Sequence, residues 1–250
     1  MLNNQQLINL MTVGLLFLST ATPSIAQTTA NRSARADRTL SRVLFRPPQD
    51  DKKPEERTAG GGSRQDAYCI QDATSGNLAN SQASQDSLIL LVPPNNFGLT
   101  TAERPKLWIY LPETPARQVV LSIREEGTTH HSKTFIPITG TSGIISLQPD
   151  SDSLPLKIGT NYKLSVVLVC GEKPSPNDPA KDVWVRRVES PEPINQGSAL
   201  AQAAWYGEQG IWYDALNSLI QARQSQPQNQ DLIGIWADFL KSGGLKAIAL

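Results

Sequence analysis

The sequence predicts a mainly β chain with a helical end: an antiparallel β-sandwich over residues 67–190, followed by a three-helix tail over 191–250. Three observations carry that prediction. Between 87 and 189, short β-branched and aromatic runs recur, each bounded by Pro, Gly, Asn or Asp. From 199 onward the apolar spacing changes to the period of a helix. Two cysteines, Cys69 ahead of the β region and Cys170 inside it, occur in a chain whose N-terminus carries an export pattern.

That pattern occupies residues 1–26, which hold no charged side chain. The run LINLMTVGLLFLSTA has the length of a signal-peptide apolar core, and Ser24-Ile25-Ala26 gives the small-x-small site a signal peptidase reads. Polar residues on both sides, with Thr12, Ser19 and Thr20 inside, make the run short for a spanning helix. Cleavage after Ala26 is therefore the expectation, and the chain would meet a membrane only if the segment stays uncleaved. A periplasmic or extracellular location follows. Residues 27–66 read as a disordered polar linker. Their apolar content is almost confined to Leu40, Val43, Leu44 and Phe45, among prolines, charges and Gly60-Gly61-Gly62. Five Arg against one Asp between Arg32 and Arg46 read as a solvated tether. The GGGS stretch lacks the GK[ST] of a phosphate loop and reads as a hinge.

Seven runs make up the β region: SLILLV (87–92), LWIYL (107–111), QVVLSI (118–123), TFIPI (134–138), GIISL (143–147), YKLSVVLVC (162–170) and VWVRRV (183–188). In the sixth, Tyr162, Leu164, Val166, Leu168 and Cys170 share one parity and face the core, while Lys163 and Ser165 face out. Pro137 inside the fourth marks an edge strand or a bulge. An even cysteine count in an exported chain favours one disulfide, Cys69–Cys170, pinning the incoming chain to the sheet. Cys69 lies ahead of the strands, and no Tyr stands two residues before Cys170. Immunoglobulin-like therefore describes the architecture alone.

In the tail, Leu200, Ala203, Ala204 and Gly207 line one helix face. Trp212, Ala215, Leu216, Leu219 and Ile220 line a second, and Leu232, Ile235, Trp236, Phe239 and Leu240 a third. Gly210, then Pro227 with Asn229, then Gly243-Gly244 separate and end the helices. The tail resembles a tetratricopeptide repeat. Counting back from Pro227, the frame places Ala222, Leu219 and Ala215 at packing positions, Gly210 in the turn, and aromatics at Tyr206 and Trp212. Ala199 and Gln202 stand where that frame has large apolar residues. One repeat cannot bury its own face, so the helix over 230–241 acts as a cap and the sandwich covers the rest.

Five segments carry a wider resemblance: GGGSR with Cys69 shortly after it, LLVPPNNFGLTTAERPKLWIYLP (90–112), YKLSVVLVC (162–170), VWVRRVE (183–189) and GIWYDALNSL (210–219). In these the chain resembles a cyanobacterial exported family catalogued as domain of unknown function 928. The resemblance implies an exported β-rich region joined to a helical tail, and it implies no activity.

No catalytic constellation stands out. The formal charge balances, 23 basic against 23 acidic residues, which gives no electrostatic footprint for nucleic acid. The loop EEGTTHH holds both histidines with Glu125 and Glu126, but His130 and His131 are adjacent and point to opposite faces of a strand. No G-x-S-x-G elbow is present. The expectation is thus no catalytic residue, no metal and no cofactor. Two places remain for binding. Trp205 and Tyr213 are the aromatics the repeat frame leaves over, expected to pack on the sandwich or third helix, or else to meet a partner. The stretch 95–112 offers Asn95, Asn96, Glu103 and Arg104 to a glycan, although polar loop residues commonly serve their own turns. The leading reading is a non-catalytic exported adaptor that contacts an envelope protein, with a cell-wall or extracellular glycan-binding module as the alternative and a hydrolase behind both.

Overall fold

The computed structural model describes residues 42–48, 69, 88–128, 131–191 and 197–245. The segment read as a signal peptide, 1–26, with Gly60-Gly61-Gly62 and His130, lies outside them. Eight strands and three helices follow in chain order: β1 Ile89–Leu90, β2 Phe97–Thr100, β3 Leu107–Leu111, β4 Gln118–Glu125, β5 His131–Pro137, β6 Gly143–Leu147, β7 Asn161–Val169, β8 Ala180–Arg187, α1 Ala199–Glu208, α2 Trp212–Ser225 and α3 Asp231–Ser242. None of these helices is long and apolar enough to cross a membrane.

The strands form two sheets, one ordered β1-β3-β6 and the other β2-β8-β7-β4-β5. All pairings are antiparallel except β2 with β8. Leu107, Ile109, Leu111 and Leu147 of the smaller sheet share one core with Val119, Leu121, Leu164, Val166, Leu168, Val183 and Val185 of the larger. The parity expected for β7 holds for Tyr162, Leu164, Val166 and Leu168, which are buried while Lys163 and Ser165 are not; Cys170, expected on the same face, lies just past the strand and is half-buried. Pro137 ends β5, an edge strand, where its missing N–H costs no ladder bond. Cys69 and Cys170 are joined, with Cα atoms 5.3 Å apart.

One strand departs from the reading of 95–112 as a loop. Phe97–Thr100 pairs with Trp184–Arg187 as β2, and all four of its residues are buried. A strand covered on both faces shows no apolar–polar alternation, so the local pattern hides it. Its cover is the helical unit. Phe97 and Leu99 join Trp184 and Ile211 in a second small core, while Gly98 lies against the Tyr213 ring.

The three helices fall where the periodicity places them. Ser198 caps α1 by accepting the Ala201 N–H at 3.2 Å, and Gly210 turns the chain into α2 with φ of 73°. The buried faces follow those read from the sequence: Leu200, Ala203 and Gly207 on α1, with Ala204 only half-buried, Trp212, Ala215, Leu216, Leu219 and Ile220 on α2, and Leu232, Ile235, Trp236, Phe239 and Leu240 on α3. Their apolar residues merge with the sandwich core into one cluster.

A second departure lies in the segment read as polar linker. Residues 42–48 are packed on the helical unit, with Val43 fully buried and Phe45 7% exposed. The isolated Val-Leu-Phe run cannot fold alone, but it needs no fold of its own when a groove made by other elements receives it. Composition reports what a segment can bury by itself, and this one buries its side chains in other elements.

Candidate functional site

The segment 42–48 and the helices that hold it form the best-defined recognition site. Phe45 donates its N–H to Ser242 Oγ at 2.8 Å, and Arg46 donates its N–H to the Gly207 carbonyl at 3.0 Å. The strap is thus gripped from both ends of the helical unit, α1 and α3. The Phe45 ring meets Trp212 edge-on at 4.9 Å, and Trp212 stacks on Phe239 at 4.8 Å. Small residues make the approach possible. A Cβ on Gly207 would collide with the Leu44 carbonyl, and one on Gly210 would meet Pro48. Pro47 and Pro48 bias the residues before them toward extended backbone, which suits a chain laid along a groove.

Trp212 is the floor of this groove and also its tie to the sandwich. It is fully buried, and its Nε1–H donates to the Leu91 carbonyl at 2.8 Å. Gly243 leaves room for the indole, since a Cβ there would strike the ring. The sequence reading assigns Trp212 to repeat packing. What it misses is the strap, whose signal is the Val43-Leu44-Phe45 run followed by Arg46-Pro47-Pro48.

Beside the groove, the start of α2 meets the end of β2. Asp214 accepts the Thr101 N–H at 3.1 Å and the Thr101 hydroxyl at 2.6 Å. Burial pushes its carboxyl pKa up, and the Thr101 and Thr100 hydrogen bonds pull it back. A small cleft of about 180 Å³ opens here between Arg104, Lys106, Gln148, Asp214 and Asn217. Asn217 Oδ1 is buried without a hydrogen-bond partner among the described residues.

The residues singled out from sequence are not gathered into one place. Tyr213 is not free for a partner: it is 2% exposed, and its hydroxyl donates to the Trp184 carbonyl at 3.3 Å. Burial alone raises its phenol pKa well above the ordinary value. Of the two expectations for it, packing on the sandwich is the one observed, because Gly98 opens a seat for its ring. Trp205 is half-buried and stands edge-on to Tyr206 at 5.1 Å.

Asn95 and Asn96 sit before β2, and Glu103 and Arg104 after it. Asn95 Oδ1 accepts the Phe97 N–H at 3.2 Å, and Asn96 takes a left-handed φ of 54° while its carbonyl accepts the Trp184 N–H at 2.8 Å. Arg104 donates from Nε and Nη2 to the Ser153 carbonyl at 2.9 and 2.6 Å. Glu103 pairs with Arg187 at 3.3 Å. Trp108 is 8% exposed, so it offers no stacking face. The side chains of Asn95, Arg104 and Glu103 are thus bonded to their own turn or to neighbouring segments.

In the EEGTTHH loop, Glu125 pairs with Lys157 at 3.0 Å and Glu126 accepts from Asn161 at 2.7 Å. The backbone of His131 pairs with Arg124. Among the described residues, no group of three or more His, Cys, Asp and Glu is placed to hold a metal ion.

A family model described as Domain of Unknown Function (DUF928) matches residues 59–250. No curated protein matches the chain. Among solved structures, the fn3 domain of human collagen alpha-1(XX) chain is similar at 15% identity, covering 50% of this chain and 98% of that domain, with a TM-score of 0.26.

Proposed function

The chain belongs to the family described as Domain of Unknown Function (DUF928), and on that footing we propose that it is an exported, non-catalytic adaptor of the cell envelope that works through protein–protein contacts. One observation supports the reading above the rest: the helical unit holds a peptide segment, 42–48, by backbone hydrogen bonds and a single aromatic anchor. Backbone hydrogen bonds supply affinity that does not depend on side-chain identity, and the pocket of the anchor supplies selectivity. In this reading α1 and α2 are a single tetratricopeptide-like hairpin with α3 as its cap. The N-terminal segment 1–26 serves export, and the cyanobacterial envelope is where the chain works.

The test compares capture from envelope extract by the full chain and by its Phe45→Ala variant, in which the groove's own occupant is weakened. Greater recovery of a partner by the variant is expected. Equal recovery would sink the groove as the contact surface.

A further inference from the structure

We propose that the cleft where α2 meets the two sheets is a small-molecule site, and that its ligand is a hydroxylated carboxylate no larger than a single sugar acid. The cleft is lined by none of the residues that grip the strap, so the inference stands apart from the adaptor reading.

Its walls come from three parts of the fold. Arg104 lies in the turn after β2, Lys106 leads into β3, Gln148 follows β6, and Asp214 and Asn217 stand on α2. The cleft therefore sits on the seam between both sheets and the helical unit, the kind of junction where ligand pockets concentrate. At about 180 Å³ it falls below the size of pockets for drug-sized ligands, and one small polar unit fills it. The rim is already tied down. Asp214 takes the Thr101 N–H at 3.1 Å and its hydroxyl at 2.6 Å, Thr100 Oγ1 accepts the Ala102 N–H at 3.1 Å, and Arg187 Nε donates to the Thr101 carbonyl at 3.2 Å. A rim held in this way has little freedom left to lose on binding.

The lining defines what the ligand carries. Charge comes first. Arg104 and Lys106 bring two cations against the one carboxylate of Asp214, both of whose oxygens are taken by Thr101. Arg104 is fixed by a neutral partner, the Ser153 carbonyl, while Glu103 lies 4.0 Å from it and pairs more closely with Arg187 at 3.3 Å. Lys106 has no acidic partner among the described residues. The cleft is net positive and selects an anion. Hydrogen bonding comes second. Asn217 Oδ1 is buried without a partner among the described residues, a state that native proteins rarely keep unless water or a ligand relieves it. The terminal torsion of an asparagine is soft, so a turn of the amide brings this acceptor to the cleft, where it needs a donor. A bare carboxylate has no proton to give, and an ammonium would meet the excess positive charge. A hydroxyl on the same small frame as the carboxylate meets both demands. Such a group comes either as a free hydroxy acid or as the acidic end unit of a glycan.

The test titrates glucuronate into the isotope-labelled full chain and follows its amide proton–nitrogen NMR spectrum, with glucose, acetate and glycine as controls. Saturable shifts are expected at Thr100–Lys106 and Asp214–Asn217, with a Kd on the order of 1 mM for a ligand of about a dozen non-hydrogen atoms. Glucose lacks the charge and acetate the hydroxyls, and each should bind about tenfold more weakly. Lys106→Met should weaken glucuronate about tenfold and remove its advantage over glucose. Lys106→Gln replaces it if the Met variant does not fold. No shift in these segments overturns the site. Acetate, glucose or glycine binding as tightly as glucuronate overturns the ligand class, and so does a Lys106→Met chain of unchanged affinity. A disaccharide ending in glucuronate separates the sources. Affinity kept assigns the cleft to a glycan end, affinity lost assigns it to a free hydroxy acid, and either supports the site.

Discussion

Trp212 donates its indole N–H to the carbonyl of Leu91 at 2.8 Å, joining two residues 121 positions apart in a fully buried contact. The same ring meets Phe45 of the strap edge-on and stacks on Phe239. One side chain thus couples the sandwich, the helical unit and the N-terminal strap.

Trp212→Phe keeps an aromatic ring but leaves the Leu91 carbonyl without its donor. The expected cost is about 1–3 kcal/mol, the penalty for a buried polar group left unpaired. Trp212→Ala adds a cavity and should cost about 3–5 kcal/mol. Urea denaturation of the two variants checks the order, and equal midpoints would show that the hydrogen bond contributes nothing.

Gly98 sits beneath the Tyr213 ring, where an added Cβ would come within 2.8 Å of Cε2. Gly98→Val should therefore push α2 off the β2 edge, at about 1–3 kcal/mol for overpacking. Amide exchange in Phe97–Thr100 should rise in step. Unchanged protection there would argue that the edge does not depend on this contact.

Asp214 gives the helix–sandwich junction a pH dependence of defined sign. Burial raises its carboxyl above the ordinary 3.8 in the folded chain, so the folded state holds that proton more tightly than the unfolded one. Its contribution is fully present below 3.8 and is lost as pH rises through the raised folded value. Asp214→Asn should flatten that part of the stability–pH profile. Asp214→Ala should destabilise at every pH, because the Thr101 N–H loses its acceptor. A profile identical in wild type and Asp214→Asn would remove Asp214 as the source.

The Cys69–Cys170 bond closes a loop of 101 residues. Replacing both cysteines by Ser should lower stability by up to about 4–5 kcal/mol in the chain-entropy model. Thermal melts with and without reductant provide the check: wild type should shift under reduction and the double variant should not.

Export is tested at the N-terminus. Edman sequencing of the protein recovered outside the cytoplasm should begin at Gln27, directly after the Ser24-Ile25-Ala26 pattern. A mature chain beginning at Met1 would mean that the apolar run is retained.

Long periodic segments proved legible. The three helices announced themselves through spacing, and Gly210 and Gly243-Gly244 marked their limits, because helix periodicity and backbone punctuation are local properties. β7 was legible for the same reason, since one of its faces is covered and the other partly open. The disulfide followed from an even cysteine count in a chain read as exported. β2 was hidden because burial on both faces erases alternation. Asn95, Glu103 and Arg104 look the same in sequence whether they face a ligand or satisfy nearby groups, and their partners Phe97, Arg187 and Ser153 are assigned only by the folded chain.

By itself the sequence determined the β-to-α order of the chain, the faces its helices bury, and the side chains able to form a disulfide. Those are set by pattern and chemistry within a few residues. The tertiary structure alone decided that Phe45 belongs to a groove, that Tyr213 belongs to the sandwich, and that Trp212 joins them. Each of those outcomes is a contact between distant segments, and its existence depends on a surface that no single segment contains.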